Sequence, residues 1–236
     1  MDSAIFIRSY WKDLDWLGHC LEAIRRYASG FAEVVVVLPR HSMPWARRRR
    51  WPAFARFEAV EDCADDYLGQ QVSKLYADRW TDCSTICHLD SDCLLCRPTR
   101  PEDLFDGERA KIHVRELAPL GRHYPWRDCT ERFLGLPMPL DFMCRPPFAY
   151  PRWLYPELRV LCRERHGVEL SDYVLAQPPR GFSEFNALGT YAWHRHRERF
   201  DFAALDAAGP EHCRWFWSWD GVDAMRERIE EVLGHG

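Results

Sequence analysis

Asp90-Ser91-Asp92 places two carboxylates one residue apart, directly after the apolar run Thr85-Ile86-Cys87-His88-Leu89. Along an extended strand, residues two apart point to the same side, so this spacing predicts that both carboxylates converge on one cation from an exposed strand end. Magnesium and manganese take oxygen ligands and bridge one or two protein carboxylates to substrate phosphates, and the cation then offsets charge on a leaving diphosphate. An Asp-x-Asp triplet by itself is common in solvated turns, so its meaning depends on the elements that present it.

Those elements read as alternating strands and helices. Ala4 to Arg8 is a short apolar run ending at Ser9-Tyr10, and Leu14, Leu17, Leu21 and Ile24 then recur at helical spacing before Gly30. Glu33 to Leu38 is a β-branched run closed by Pro39, as expected of a strand buried on both faces in a parallel sheet. Residues 40–53, with four arginines at 47–50 between Trp45 and Trp51, read as an exposed loop. Phe54 to Val60 predicts a third strand, Tyr67 to Trp80 a helix, and Ser84 to Leu89 a fourth strand running into the Asp pair. The expected class is α/β: a single Rossmann-like domain with a mainly parallel central sheet and helices on both faces, its ligands beyond the C-terminal strand ends. Residues 1–100 would form the nucleotide-binding half. Residues 101–236 are richer in proline and aromatics, with helices expected at Trp153–His166 and near Glu184–Arg199, and would form the acceptor half.

Composition narrows the setting. At 236 residues the chain can bury a full core, and its longest apolar run, Val34 to Leu38, is far too short to span a bilayer. The first seven residues lack the features of a secretory signal, so a cytoplasmic protein with no membrane partner is expected. The ten cysteines are then read as reduced. Cys83, Cys87, Cys93 and Cys96 bracket the Asp pair and offer a competing structural zinc site, although zinc there would fold the Asp-x-Asp loop into a knuckle. All but Lys12, Lys74 and Lys111 of the 32 basic residues are arginine, which suits phosphate contact but also follows from a GC-rich genome.

In this context Ile86 to Asp92 resembles the strand-borne Asp-x-Asp motif of GT-A glycosyltransferases, and the resemblance runs in order along most of the chain. Ile5 to Tyr10 with Asp13 is similar to that family's first strand and nucleotide-facing loop. Gln70 to Tyr76 is similar to the helix ahead of the metal motif, and Pro178 to Gly189 to the late acidic segment. The resemblance implies a nucleotide-sugar donor, UDP-linked or similar, Mn2+ or Mg2+ held by Asp90 and Asp92, and transfer to a hydroxyl. Arg8, Ser9, Tyr10, Gln71, Lys74 and Asp90 would face the donor. Glu184 is the first candidate base and Asp141 the second, with a helix-capping role and an ordinary loop aspartate as the respective structural alternatives. Lys74 is either a diphosphate contact or part of a solvated helix face shared with Gln71. A late histidine would complete the metal site, with His212 preferred over His194 and His196.

The expected acceptor is a 5-hydroxymethylated pyrimidine in DNA, or its attached sugar, with a bacterial surface glycan as the alternative. Small phage-encoded DNA-base glycosyltransferases are similar in size and in the Ser183-Glu184-Phe185-Asn186 segment, which would place the protein in a host cytoplasm. The Arg47–Arg50 run suits a phosphate backbone. The net charge of −4 argues the other way. A zinc-stabilised, non-catalytic nucleic-acid-binding protein is the alternative from another class. A sugar nucleotidyltransferase is disfavoured because no glycine-rich loop follows the first strand.

Overall fold

A computed structural model of the chain describes residues 2–107, 109–117, 124–205, 209 and 211–234. Four strands form the parallel part of the central sheet: β1 (Ser3–Arg8), β2 (Glu33–Pro39), β3 (Ala55–Val60) and β4 (Thr85–Asp90). β1 lies between β2 and β4, and β3 forms the edge beyond β2. Every residue of β1 is buried, because both sheet faces are covered at the centre, and this explains its unbroken apolar run. Helices α1 (Leu14–Tyr27) and α3 (Asp66–Leu75) provide crossovers within this sheet. Leu14, Leu17, Leu21 and Ile24 form the buried stripe of α1, and the Asp65 side chain caps α3 by accepting from the Leu68 N–H (3.1 Å). The mixed α/β class with a mainly parallel sheet flanked by helices is as the sequence predicts.

Residues 40–53 are not a plain loop. A 3-10 turn at Arg40–Ser42 leads into a single helical turn, α2 (Met43–Ala46), whose first turn holds Pro44, where a missing N–H removes no helical bond. The helix predicted over Tyr67–Trp80 stops at Leu75, with a separate 3-10 turn at Ala77–Arg79.

After β4 the chain reverses through Ser91-Asp92 into β5 (Cys93–Leu95), which pairs antiparallel with the late strand β11 (Cys213–Trp215). Between them come α4 (Pro101–Leu104), β6 (Phe105–Asp106), β7 (Arg109–Glu116), α5 (Arg127–Leu134), β8 (Leu140–Asp141), β9 (Phe148–Pro151), α6 (Leu154–His166), α7 (Leu170–Leu175), α8 (Glu184–Arg195) and β10 (Phe200–Ala204). The last helix is α9 (Arg226–Gly234). Strand β9 joins the central sheet antiparallel to β4, while β7 pairs parallel with β10 and antiparallel with β6 and β8. The helix expected to reach Arg199 ends at Arg195, followed by a 3-10 turn at Arg197–Arg199.

Helix α8 is buried along most of its length, from Glu184 to Ala192. Its seat depends on Gly189, because a Cβ at that position would collide with the Phe142 ring. Gly189→Ala should therefore destabilise the protein by roughly 1–3 kcal/mol, the usual cost of overpacking a core. Thermal unfolding followed by circular dichroism checks this, and an unchanged midpoint would show that α8 is not tightly seated.

Candidate metal and acid-base site

The two carboxylates of the Asp-x-Asp triplet meet across a turn rather than along one strand. Asp90 ends β4, Asp92 lies in the turn, and Cys93 opens β5; one potential ligand atom from each lies within 4.8 Å of the others. Among the described residues this is the only group of three or more His, Cys, Asp and Glu side chains so arranged. Asp92 is not exposed as the sequence suggests. The segment after β11 covers it: the Phe216 N–H donates to the Asp92 carbonyl (2.8 Å) and the Ser218 N–H donates to Asp92 Oδ2 (2.9 Å). Burial, reinforced by the neighbouring Asp90 charge and only partly opposed by the Ser218 N–H, pushes the Asp92 carboxyl up to about 8. Asp13, in the 3-10 turn (Trp11–Asp13) between β1 and α1, is likewise pushed up to about 6 by burial and then by Asp90.

Lys74 links this cluster to α8. Its ammonium lies 2.5 Å from Asp90 Oδ1 and donates to Glu184 Oε1 at 2.9 Å, with only 3% of the side chain exposed. Burial disfavours its charge, but the Asp90 and Glu184 carboxylates outweigh that effect and hold the lysine protonated. The solvated-face reading of Gln71 and Lys74 is therefore corrected: both are buried. Glu184 sits in the first turn of α8, and its short contact is with Lys74. Ser183, the residue before the helix, makes no capping bond and instead accepts from Asn186 Nδ2 (3.0 Å).

The other candidate residues divide. Arg8 and Asp90 are register partners on β1 and β4, and Arg8 pairs with Asp66 at 2.7 Å. Arg8, Ser9 and Gln71 are buried, and Arg8 Nε, Ser9 Oγ and Gln71 Oε1 have no hydrogen-bond partner among the described residues. Tyr10 is half-buried at the start of the loop that carries Asp13. Asp141 is committed: it accepts from Tyr124 Oη (2.6 Å), an Arg115 guanidinium nitrogen (2.7 Å) and the Met143 N–H (2.9 Å), so it acts as a bracket between β7 and β8 rather than as a free base. His212 lies outside the metal group, with Nδ1 2.9 Å from Thr99 Oγ1. His194 contacts the Pro137 carbonyl (2.7 Å) and His196 pairs with Glu157 (2.6 Å). Nor do the four bracketing cysteines converge. Cys83 Sγ is 3.8 Å from Glu33, and Cys96 Sγ donates to the Glu211 carbonyl (3.4 Å).

The Arg47–Arg50 run lies closer to the site than its sequence position implies. Arg49 and Arg50 line a cavity of about 840 Å³ of mixed charge, together with Lys12, Arg226, Asp15, Asp220, Asp223 and Ser218, the residue bonded to Asp92. Arg49 is paired with Asp15 (2.6 Å), and Arg48 lies over the Trp45 ring (5.1 Å). Sequence reasoning missed the covering segment altogether. Trp215, Trp217 and Trp219 stack at centroid separations of 4.8 and 4.7 Å, and this alternation of tryptophans was its available signal.

No protein-family model matches the chain, and no curated protein matches it. Among solved structures it is similar to the crystal structure of a homologue of Mycobacterium tuberculosis Rv0371c from Mycobacterium sp. strain JC1. That similarity covers 99% of this chain and 98% of the other at 13% identity, with a TM-score of 0.50. At this identity the likeness is one of fold.

The two carboxylates suit magnesium or manganese, both of which take oxygen ligands, while burial pushes the Cys93 thiol up and holds it protonated beside them. The raised Asp92 carboxyl has a consequence for the metal-free protein. The folded state holds a proton that the unfolded chain releases near pH 3.8, so stability should fall as pH rises from about 4 to about 8, with Asp13 adding to the slope up to about 6. Asp92→Asn should flatten that decline. Denaturant unfolding at stepped pH in a chelator measures it, and parallel profiles for the variant and wild type would exclude a buried, charge-strained Asp92.

Proposed function

We propose that this protein is a metal-dependent glycosyltransferase that moves a sugar from a nucleotide-sugar donor, UDP-linked or similar, to an acceptor hydroxyl. The observation that carries the reading is the Asp90–Lys74–Glu184 bridge, which sets a buried carboxylate on α8 against the carboxylate pair at the end of β4. An acid–base group and a cation-binding pair on one wall are what transfer from a diphosphate to a hydroxyl requires.

In this reading Asp90 and Asp92 would hold Mn2+ or Mg2+, with Cys93 as the adjacent thiol. The bound cation supplies Lewis-acid stabilisation of the leaving diphosphate. Arg8 Nε and Ser9 Oγ at the end of β1, and Gln71 Oε1 on α3, are buried polar atoms without a partner among the described residues, and this reading assigns them to the donor. Glu184 accepts the proton of the acceptor hydroxyl as its oxygen bonds to the anomeric carbon. The bond from that carbon to the diphosphate oxygen breaks, and the diphosphate leaves with the electron pair. Covering of Asp92 by residues 216–218 keeps water from one side of the cation site. For the acceptor, the placement of Arg49 and Arg50 in the cavity bordered by Ser218 favours a DNA hydroxymethylpyrimidine over an uncharged surface glycan.

The test is release of nucleoside diphosphate from a panel of nucleotide sugars with Mn2+, in the presence of hydroxymethylated DNA or a glycan acceptor. Asp90→Asn should abolish metal-dependent turnover. Glu184→Gln should lower kcat by at least about 100-fold while donor affinity, read by calorimetry, stays within a few-fold. Turnover independent of metal, or an active Glu184→Gln enzyme, would remove the assignment. Transfer to glycan but not DNA would reassign the acceptor.

A further inference from the structure

Lys74 is buried, charged and shared between two carboxylates, an arrangement that is costly unless it does something a smaller apolar pair could not. Its ammonium occupies one oxygen of Asp90, which also belongs to the only candidate metal group among the described residues. A cation approaching Asp90 and Asp92 therefore meets a carboxylate that already has a counter-ion, and meets it across a short distance where like charges interact strongly. The second partner of that counter-ion is Glu184, whose side chain is only 7% exposed. The one ammonium serves both carboxylates at once, so an ammonium displaced from Asp90 still has Glu184 as its partner. The Phe185 ring faces the same ammonium at 5.0 Å.

We infer that Lys74 is an internal counter-ion that competes with the divalent cation for Asp90, so that cation occupancy and the hold on Glu184 are coupled. This rests on the reading of Asp90 and Asp92 as a cation site. Free cation is then bound weakly and leaves Lys74 on Glu184, a state in which Glu184 is held from acting as base until a diphosphate draws the ammonium away. Lys74 is a positioning residue in this scheme, acting on both carboxylates through a single charge. The site is thereby biased against loading with metal alone and toward loading when a diphosphate brings its own negative charge.

Mn2+ alone, titrated at fixed pH and low salt by calorimetry and by the paramagnetic signal of the free ion, tests this without any turnover. Lys74→Met should bind Mn2+ on the order of tenfold more tightly than wild type, because the competing charge is gone. Glu184→Gln should bind it several-fold more weakly, although Glu184 is not in the metal group, since Lys74 then rests on Asp90 alone. In the Lys74→Met background the same Glu184→Gln change should have a much smaller effect, the signature of coupling through a shared partner. If Lys74→Met does not fold, the charge-balanced Lys74→Met/Glu184→Gln protein still frees Asp90 and should exceed wild type in affinity. Affinity in the lysine variants equal to or below wild type, with Asp90→Asn abolishing binding, would overturn the competition while leaving the cation site standing. Equal effects of Glu184→Gln in both backgrounds would also overturn it. Absence of Mn2+ binding in every variant and in wild type would overturn the cation site itself, and the competition with it.

Discussion

The buried ion bridge from Asp90 through Lys74 to Glu184 is the contact on which the candidate site depends. Each member comes from a different element: the end of β4, the last turn of α3 and the first turn of α8. Lys74 is the member the other two depend on: either carboxylate can be lost and leave the ammonium one partner, whereas loss of the ammonium leaves Glu184 buried and Asp90 part-buried without a counter-ion. The bridge therefore ties the parallel sheet of the N-terminal half to the helix that the C-terminal half contributes. Seating of α8 against Phe142, which only a glycine at 189 permits, is part of the same constraint.

The late segment imposes a second constraint. Residues 213–218 pair with β5 and donate two backbone N–H groups to Asp92, so the acidic turn is shaped from more than a hundred residues away in sequence. This covering raises the protonation midpoint of Asp92 through desolvation and leaves a carboxyl that gains by meeting a cation. It also sets Trp215, the first of the stacked tryptophans, opposite Cys93 and, through Ser218, borders the cavity that Arg49 and Arg50 line.

Much of the scaffold was legible in the chain. The apolar run of β1, the β-branched run of β2 and the stripe of α1 are local patterns, and local periodicity decides which faces are buried regardless of what covers them. The Asp pair was legible as a pair, and Glu184 and Lys74 as charged residues on helices. Tertiary structure alone decided that Asp92 is buried, that Lys74 is shared, that Asp141 is fully engaged and that His212 stands apart. Each of those outcomes depends on partners contributed from distant sequence: Ser218 for Asp92, Glu184 for Lys74, Tyr124 and Arg115 for Asp141, and Thr99 for His212. A side chain's type specifies the interactions it can make, whereas burial and charge compensation are properties of the neighbours that long-range packing delivers.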